Sequence, residues 1–382
     1  MNIIGIIAEY NPFHNVHLYH IQKIKELYPD SLLILVLNGY FTQRGTISVL
    51  SKEDKIKISL NNNIDIVLEL PFIYGTQSSD IFAYNSIKLL NELKVEKIIF
   101  GSESNNIDLL NKVVDIQLND PTYEESVKKY LDLGDNYPTA MKKALNIEED
   151  INNPNDLLGI SYIKSIRQIN PNIQAETIQR TNSYHDTDSN DTIVTATNIR
   201  TKLNNEEDIS NYLPQDVIPY LNNVPNNNLY NLLKFKILTD NDLSKYLDVD
   251  EGIEYRILKY INQSHTLEEL ISNIKTKRYT YNKINRMLLH ILIGLTKDDN
   301  HLSTLDYIKI LGFNSKGQEY LKRIRKDITL PTTPNKESKV FEIELKAAYL
   351  YEQATKKSLN NFDIKNIPIQ KRDLYLFFYL YL

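Results

Sequence analysis

Runs of consecutive apolar residues alternate with amphipathic stretches through the first 180 residues of the chain. A continuous apolar run is typical of a parallel strand that is covered on both faces, and a stretch with helical spacing fits the crossover between two such strands. The alternation therefore predicts βαβ units with right-handed connections, which is an α/β, Rossmann-like parallel sheet. The strands are predicted at residues 3–7, 31–38, 64–71, 97–104 and 173–180.

Helical patterns fill the segments between these runs, and they continue after the strand pattern ends. They are predicted at residues 51–61, 79–93, 123–133 and 155–168, and another helix is predicted to open at Thr195. From about residue 205 the strand pattern fades, and repeated amphipathic patterns favour a mostly helical region. We therefore predict two domains, an α/β domain at residues 1–204 and a mostly helical domain at residues 205–382.

Composition limits the classes of function. The chain has 382 residues, of which 42% are hydrophobic and 24% charged, as in an ordinary soluble globular protein. Its net charge of −5 gives no overall basic field for nucleic acid, although a local basic face is compatible with that sum. Because the chain has no cysteine, disulfides, cysteine–zinc sites and thiol nucleophiles are excluded.

The two ends of the sequence bear on its location. The first residues lack the basic region and cleavage site of a signal peptide. The apolar tail at residues 374–382 is too short to span a bilayer, and we expect it to pack on the C-terminal domain. A cytosolic protein is the expectation.

Three of the seven histidines stand directly after the first predicted strand. His14 and His17 are spaced to lie together on the first turn of a helix, where free backbone N–H groups and the positive end of the helix dipole suit a phosphate. Ordinary surface or core histidines and a metal site are the alternatives, but the chain has neither an HExxH motif nor cysteine to favour zinc. The pattern favours nucleotide binding, with His20 the most structural of the three.

A strand, a turn and HxxH at the start of a helix resemble the HIGH-type nucleotidyltransferases, which bind ATP at the start of their first helix. The longer string EYNPFHNVHLYH at residues 9–20 resembles a narrower family, the tRNA(Met) cytidine acetate ligases. Those bacterial enzymes acetylate the wobble cytidine of elongator tRNA(Met) from ATP and acetate. The chain departs from them at Val16, where the family has glycine, and a β-branched side chain there stands close to the phosphates.

The resemblance implies ATP contacts from one continuous segment and from three single residues, with His14 and His17 as the catalytic pair. Gly101 stands in FGSE, Asn155 in PNDLLG and Arg180 in QR, all of which resemble strings of the family. A turn glycine, a helix cap and a surface cation are their respective alternatives. The implied ATP-binding residues are Ile7, Ala8, Glu9, Tyr10, Asn11, Pro12, Phe13, His14, Asn15, Val16, His17, Leu18, Tyr19, His20, Gly101, Asn155 and Arg180.

Two further strings resemble the family's phosphate or substrate contacts. Arg44 lies in an FxQRG-like loop, where a guanidinium suits a phosphate or a carboxylate, and solvated loop charge is the alternative. Thr195, Thr197 and Arg200 lie in a string like the nucleotidyltransferase motif that holds the β and γ phosphates, and a simple helix cap is the alternative. The string at residues 184–186 also matches the family, without an assigned role.

Cations alternate with tyrosines at residues 276–286, and a second basic cluster follows at residues 322–326. Such a mixture suits an RNA backbone with unpaired bases, as in an anticodon loop, although solvated helix faces are the commoner outcome of a run of charges. The family resemblance favours the RNA interpretation. The predicted tRNA-binding residues are Lys277, Arg278, Tyr279, Tyr281, Lys283 and Arg286.

What the resemblance implies is an ATP-dependent ligase that forms a carbon–nitrogen bond. It would activate acetate as acetyl-adenylate, with Mg²⁺ carried by ATP, and acetylate N4 of the wobble cytidine of elongator tRNA(Met). Two alternatives stay open: adenylylation of a small phosphorylated metabolite, and a non-catalytic RNA-binding protein, to which Val16 points. A Walker A motif, a GxSxG elbow, a GxGxxG fingerprint and an EF-hand loop are absent from the sequence.

Overall fold

One mixed β-sheet runs through both halves of the chain. The computed structural model describes all residues except 148, 150, 152, 181–193, 222–225, 302–304, 336 and 372–382. The strands within that part are β1 (Ile3–Ala8), β2 (Leu32–Asn38), β3 (Ile66–Leu70), β4 (Lys97–Ser102), β5 (Gln174–Gln179), β6 (Ile310–Asn314) and β7 (Ile369–Lys371). They lie side by side in the order β5-β4-β1-β2-β3-β6-β7.

The five strands predicted from the apolar runs form the parallel part of this sheet. β1 pairs in parallel with both β2 and β4, β2 with β3, and β4 with β5. All seven residues of β2 are buried, as expected for a strand covered on both faces. The predicted Rossmann-like parallel sheet is confirmed.

β6 and β7 extend the sheet from the C-terminal half, and the hydrophobic pattern did not predict them. β6 pairs antiparallel with β3 and parallel with β7. Its sequence, ILGFN, contains a glycine and is short, so its local pattern is that of a loop. Pairing with the exposed edge of β3 makes it a strand.

Helices cover both faces of the sheet and form most of the second half, as predicted. The described helices are α1 (Asn15–Leu27), α2 (Lys52–Asn61), α3 (Phe72–Gly75), α4 (Ser79–Glu92), α5 (Ile107–Asn119), α6 (Tyr123–Asp132), α7 (Tyr137–Leu145), α8 (Pro154–Ile169), α9 (Ala196–Asn204), α10 (Asn226–Thr239), α11 (Ile253–Tyr260), α12 (Leu267–Ile274), α13 (Tyr281–Ile293), α14 (Ser315–Ile324), α15 (Lys339–Thr355) and α16 (Phe362–Lys365). Among these helices, none is long and apolar enough to cross a membrane. The predicted packing of the tail at 374–382 lies outside the described residues.

The hydrophobic core continues across the predicted domain boundary. Val36 and Leu68, on the sheet, belong to the same buried cluster as Leu270 of α12 and Met287 of α13. A second cluster on the other face of the sheet contains Ile21 of α1. The division at residue 204 stays a prediction, but the sheet and this core pass through it.

Buried charged groups also join the two halves. We call Lys52, Glu69, Lys309, Glu344 and Asp363 the Lys52 cluster. The Lys52 ammonium lies 2.5 Å from a Glu69 carboxylate oxygen and 2.6 Å from one oxygen each of Glu344 and Asp363. The first two residues lie on α2 and β3, and the others come from the C-terminal half.

Candidate active site

A cavity of about 930 Å³ opens at the carboxyl ends of the parallel strands. Its wall includes the ends of β1, β4 and β5, the first turn of α1, the start of α9 and, from the second half, residues before and within α13. Ligands of open parallel sheets bind at this edge. The size lies within the range of small-molecule and cofactor sites, which is about 300–1,000 Å³.

The first turn of α1 is held by its own histidines. His14 caps the helix with an extended backbone, and its carbonyl accepts the His17 N–H at 2.8 Å. Tyr10, in the preceding turn, has a left-handed φ of 49°, which is strained for a residue other than glycine. Its buried ring packs edge-on against Phe13 at 4.8 Å and His17 at 4.7 Å, so core packing holds the turn that delivers the histidines.

Reciprocal hydrogen bonds couple His14 and His17. The backbone N–H of His14 donates to Nδ1 of His17 at 3.3 Å, and the side chain of His14 accepts the backbone N–H of His17. The two Nδ1 atoms are 2.6 Å apart, so one neutral imidazole donates to the other, and the tautomer sets which is the donor. Nε2 of His14 is buried without a partner among the described residues.

Burial and nearby arginines keep these imidazoles neutral. Burial, followed by the charges of Arg180 and Arg200, lowers the pKa of His14 to about 3. Burial and then Arg180 lower the pKa of His20 to about 4, and burial, followed by His14 and Arg180, holds the pKa of His17 well below its ordinary value. The fixed positive charge of the site comes from the arginines, and a bound polyphosphate would raise the histidine pKa values again.

Replacement of His20 by glutamine is expected to make the protein less sensitive to acid. The folded pKa of His20 is about 4 and its ordinary value is 6.5, so between these values the unfolded chain binds the proton and the folded chain does not. The contribution of His20 to the free energy of unfolding is complete above its ordinary pKa. It is lost as the pH falls toward the pKa of the folded state, by about 1.4 kcal/mol per pH unit for one group. The free energy of unfolding, measured with urea at pH 7, 6 and 5, should fall less steeply with decreasing pH for His20→Gln than for the wild type.

The exposed His265 offers the matched control for that experiment, since His265→Gln changes an imidazole that lies outside the cavity. Its variant should follow the wild-type slope. Equal pH dependence of the free energy of unfolding for His20→Gln and the wild type would contradict the lowered pKa of His20 in the folded protein.

The N-terminus of α9 lies beside the first turn of α1. Thr195 caps α9 by accepting the Asn198 N–H at 3.2 Å. Arg200 donates to the backbone oxygen of Asn11 at 2.7 Å and to the hydroxyl of Thr197 at 3.0 Å. Thr195, Thr197 and Arg200 line the cavity, so the positive ends of two helices meet at one place.

Glu103 joins the three single residues that were predicted to contact ATP. Its carboxylate accepts the side-chain amide of Asn155 at 2.5 Å and the backbone N–H of Asn155 at 3.2 Å, and it lies 3.9 Å from Nε of Arg180. A Cβ on Gly101 would stand 3.3 Å from Cγ of Arg180, so glycine leaves room for the arginine. The structure therefore brings Gly101, Asn155 and Arg180 together, and Glu103 is the positioning residue that was missed. Its signal was its place directly after FGS at the end of β4.

A loop after β2 connects the histidine turn to α13. The Gln43 N–H donates to a carboxylate oxygen of Glu9 at 2.5 Å, and Asn285 donates its side-chain amide to the Arg44 carbonyl at 2.9 Å. Gly45 has φ +78°, and a Cβ there would lie 2.9 Å from the Cα of Arg286. Only glycine fits this turn, and the loop is fixed against the helix of the second half.

The residues predicted to bind tRNA divide between the cavity and its surroundings. Arg278, Tyr279, Lys283 and Arg286 line the cavity, whereas Lys277 and Tyr281 do not. Tyr279 is 3% exposed and its hydroxyl donates to the Asp250 carbonyl at 2.7 Å, so it supports the wall. Lys277 pairs with Asp135 at 3.1 Å, and Arg278 pairs with Glu251 at 2.9 Å.

The remaining predicted residues divide in the same way. Ile7, Ala8, Glu9, Tyr10, Asn11, His14, Val16, His17, Tyr19, His20 and Arg44 line the cavity, and Pro12, Phe13, Asn15 and Leu18 do not. Val16 is the second residue of α1 and stands in the wall. Among the described residues, the one group of side chains with spacing for a metal is Glu69, Glu344 and Asp363, which surrounds the Lys52 ammonium. The string at residues 184–186 lies outside the described part of the chain.

Comparison with known proteins gives concordant matches. The family model for the HIGH nucleotidyl transferases matches residues 1–366. The tRNA(Met) cytidine acetate ligase of Clostridium novyi is 36% identical over 97% of this chain and 99% of its own, and that of Fusobacterium nucleatum is 38% identical over 85% of both chains. The crystal structure of Thermotoga maritima TmcAL without ligand has a TM-score of 0.88 at 30% identity and covers 98% of this chain and 100% of its own. The structure of the same protein bound with alpha-thio ATP has a TM-score of 0.85.

Proposed function

The chain belongs to the tRNA(Met) cytidine acetate ligases within the HIGH nucleotidyl transferase family, and from this membership we propose how its cavity acetylates a tRNA. The substrates are ATP, acetate and elongator tRNA(Met), and the product carries an acetyl group on N4 of the wobble cytidine. The observation that carries the proposal is one cavity in which two helix N-termini and the histidine pair face residues of α13. A nucleotide and an RNA base can meet there.

In the first step acetate attacks the α-phosphorus of ATP. A carboxylate oxygen forms the new P–O bond, and the bond to pyrophosphate breaks with its electron pair leaving on pyrophosphate. Negative charge shifts onto the phosphoryl oxygens and the leaving group, so positioned donors lower the barrier. The imidazoles of His14 and His17, the backbone N–H groups at the start of α1, Arg180 and Arg200 supply such donors.

Mg²⁺ enters this scheme as the companion of ATP. The described side chains around the histidine turn are imidazoles, hydroxyls, guanidinium groups and the Glu9 carboxylate, which accepts the Gln43 N–H. The three carboxylates with the spacing for a metal surround Lys52 instead. Mg²⁺ bound with ATP would neutralise negative charge as pyrophosphate departs.

In the second step the N4 amine of cytidine attacks the acyl carbon of acetyl-adenylate. The new carbon–nitrogen bond forms as the acyl–oxygen bond breaks, AMP leaves with that electron pair, and the amine proton passes to solvent. The cytidine has to leave its stack to reach the cavity, as bases do in enzymes that modify them. Arg278 and Lys283, in the part of the wall given by the second half, suit the flanking RNA backbone.

The test is incubation of the purified chain with labelled ATP and acetate, with and without elongator tRNA(Met). We expect AMP, pyrophosphate and N4-acetylcytidine by mass spectrometry only when all three substrates are present. ATP binding without acetylated nucleoside would overturn the proposal and direct the search to phosphorylated small-molecule acceptors. RNA binding without ATP turnover would identify the chain as a non-catalytic relative, the alternative to which Val16 points.

A further inference from the structure

The strand order divides the cavity into two sides. β1 lies between β4 and β2, so the chain continues from β1 to one side of the sheet and later crosses to the other side. A parallel sheet binds its ligand at such a reversal of strand order. On the β4 side, Gly101, Asn155 and Arg180 form the wall that suits the nucleoside. On the β2 side lie the loop at residues 42–45 and α13. The second substrate of the adenylation therefore enters on the β2 side.

Arg286 of α13 brings a partly buried guanidinium to that side. Its Nε is buried and has no hydrogen-bond partner among the described residues. Burial lowers the pKa of Arg286, and the nearby carboxylate of Asp248 offsets this only in part. Asp248 itself lies 3.3 Å from Nδ1 of His290. A buried N–H of a cation that lacks an acceptor is costly, so the site favours an anion.

The position of Arg286 is set by rigid surroundings. Its backbone lies against Gly45, and its neighbours Ile284, Met287 and Leu288 are completely or almost completely buried. A guanidinium carried by a packed helix is held in place before the substrate arrives, which suits the positioning of a small reactant.

The location of Arg286 identifies the class of anion. Arg200 donates to the Asn11 carbonyl beside the histidines and Arg180 lies near Glu103 at the ends of β4 and β5, whereas the backbone of Arg286 lies against Gly45 in the loop after β2. Arg286 therefore serves the β2 side of the cavity. RNA phosphates suit more exposed cations, such as Lys277 at 71% and Arg278 at 48% side-chain exposure. A small carboxylate matches a partly buried guanidinium whose Nε has no acceptor among the described residues.

We propose that Arg286 binds the carboxylate of acetate and positions it toward the α-phosphate of ATP. This assignment rests on the proposed function and moves Arg286 from the RNA-binding group to the small-molecule site. The guanidinium N–H groups donate to the carboxylate, and one of its oxygens keeps a lone pair for the new bond to phosphorus. Pyrophosphate then leaves with the electron pair of the broken bond.

The test is acetate-dependent exchange of labelled pyrophosphate into ATP, measured with and without tRNA. For Arg286→Gln we expect the KM for acetate to rise at least tenfold, while the KM for ATP stays within twofold of the wild type. Arg286→Lys keeps the positive charge but loses the paired N–H donors of the guanidinium. Its KM for acetate should lie between those of the wild type and Arg286→Gln. Thermal melting checks that each variant folds, and a titration with ¹³C-labelled acetate reads binding without turnover.

Two controls separate the outcomes. Arg256→Gln removes a guanidinium of α11 outside the cavity and should leave every constant unchanged, whereas Arg278→Gln should change only the response to tRNA. An unchanged KM for acetate in folded Arg286→Gln, or a change confined to the KM for tRNA, overturns the inference. Absence of acetate-dependent exchange in the wild-type protein, in both the presence and absence of tRNA, would count against the proposed function itself.

Discussion

Replacement of His17 by alanine is expected to abolish acetyl-adenylate formation while the protein stays folded. The substitution removes one imidazole of the hydrogen-bonded pair and leaves Nδ1 of His14 without its partner, so the site loses a donor and the fixed position of His14. Loss of one preorganised donor to developing charge lowers turnover by about 10²- to 10³-fold, and we expect at least this range here. Single-turnover formation of acetyl-adenylate, rather than steady-state acetylation, measures that step directly.

The exposed His265 again provides the matched control, because His265→Ala removes an imidazole outside the cavity. The single variants His14→Ala and His17→Ala should each cost nearly as much as the double variant, since the two side chains act through a shared hydrogen bond. Additive losses would show that the histidines act separately. Adenylation by His17→Ala at the wild-type rate would remove His17 from the mechanism.

The sequence allowed this part of the site to be predicted because its parts are local. The strand, the turn and HxxH are contiguous, so the buried run before His14 and the spacing to His17 predict both the element and its chemistry. Likewise β2 is a continuous apolar run whose local pattern and final structure agree. Where one segment of the chain determines the local structure, its hydrophobic pattern is enough to predict that structure.

Other parts depend on contacts between distant segments, which one sequence does not contain. β6 becomes a strand through pairing with β3, and Glu103 acquires a role because α8 delivers Asn155 to it. The charge of Arg286 was visible in the sequence, but its place beside the loop of Gly45, with its Nε buried, was not. The basic and tyrosine-containing segment therefore predicted RNA binding as a whole, although Tyr279 is mostly a packing residue.

The Lys52 cluster lies across the predicted boundary at residue 204 and joins the parts of the chain on its two sides. Lys52 is fully buried, and its partners Glu344 and Asp363 lie in the C-terminal half. Burial alone would lower the pKa of Lys52, but Asp363, Glu344 and Glu69 raise it well above the ordinary value. A chain that ended at residue 204 would keep the buried ammonium and lose two of its three carboxylates, so we expect such a fragment to be unstable.

Replacement of Lys52 by methionine is expected to destabilise the whole protein by about 3–5 kcal/mol, because removing one member of a buried ionic group leaves the others uncompensated. Three carboxylates would then share the charge of Lys309, whose ammonium lies 2.9 Å from Asp363. Since a typical protein has about 5–15 kcal/mol of stability, a loss of this size should be evident as a large fall in the urea midpoint. Nucleotide binding should decline with folding and not before it, because the cluster lies outside the cavity.

Two further variants test whether the loss of the Lys52 charge causes the destabilisation. Lys57→Met removes a half-exposed ammonium from the same helix, which pairs with Glu53 at 2.6 Å, and such surface pairs contribute about 0–1 kcal/mol. Glu344→Gln added to Lys52→Met should recover part of the loss, since burial and Glu69 raise the pKa of Glu344 to about 7, and the neutral amide avoids the cost of burying or protonating that carboxylate. If Lys52→Met and Lys57→Met were equally mild, the buried ions would contribute little to joining the halves. A loss confined to Lys52→Met and relieved by Glu344→Gln would instead make the buried ions a determinant of how the C-terminal helices dock.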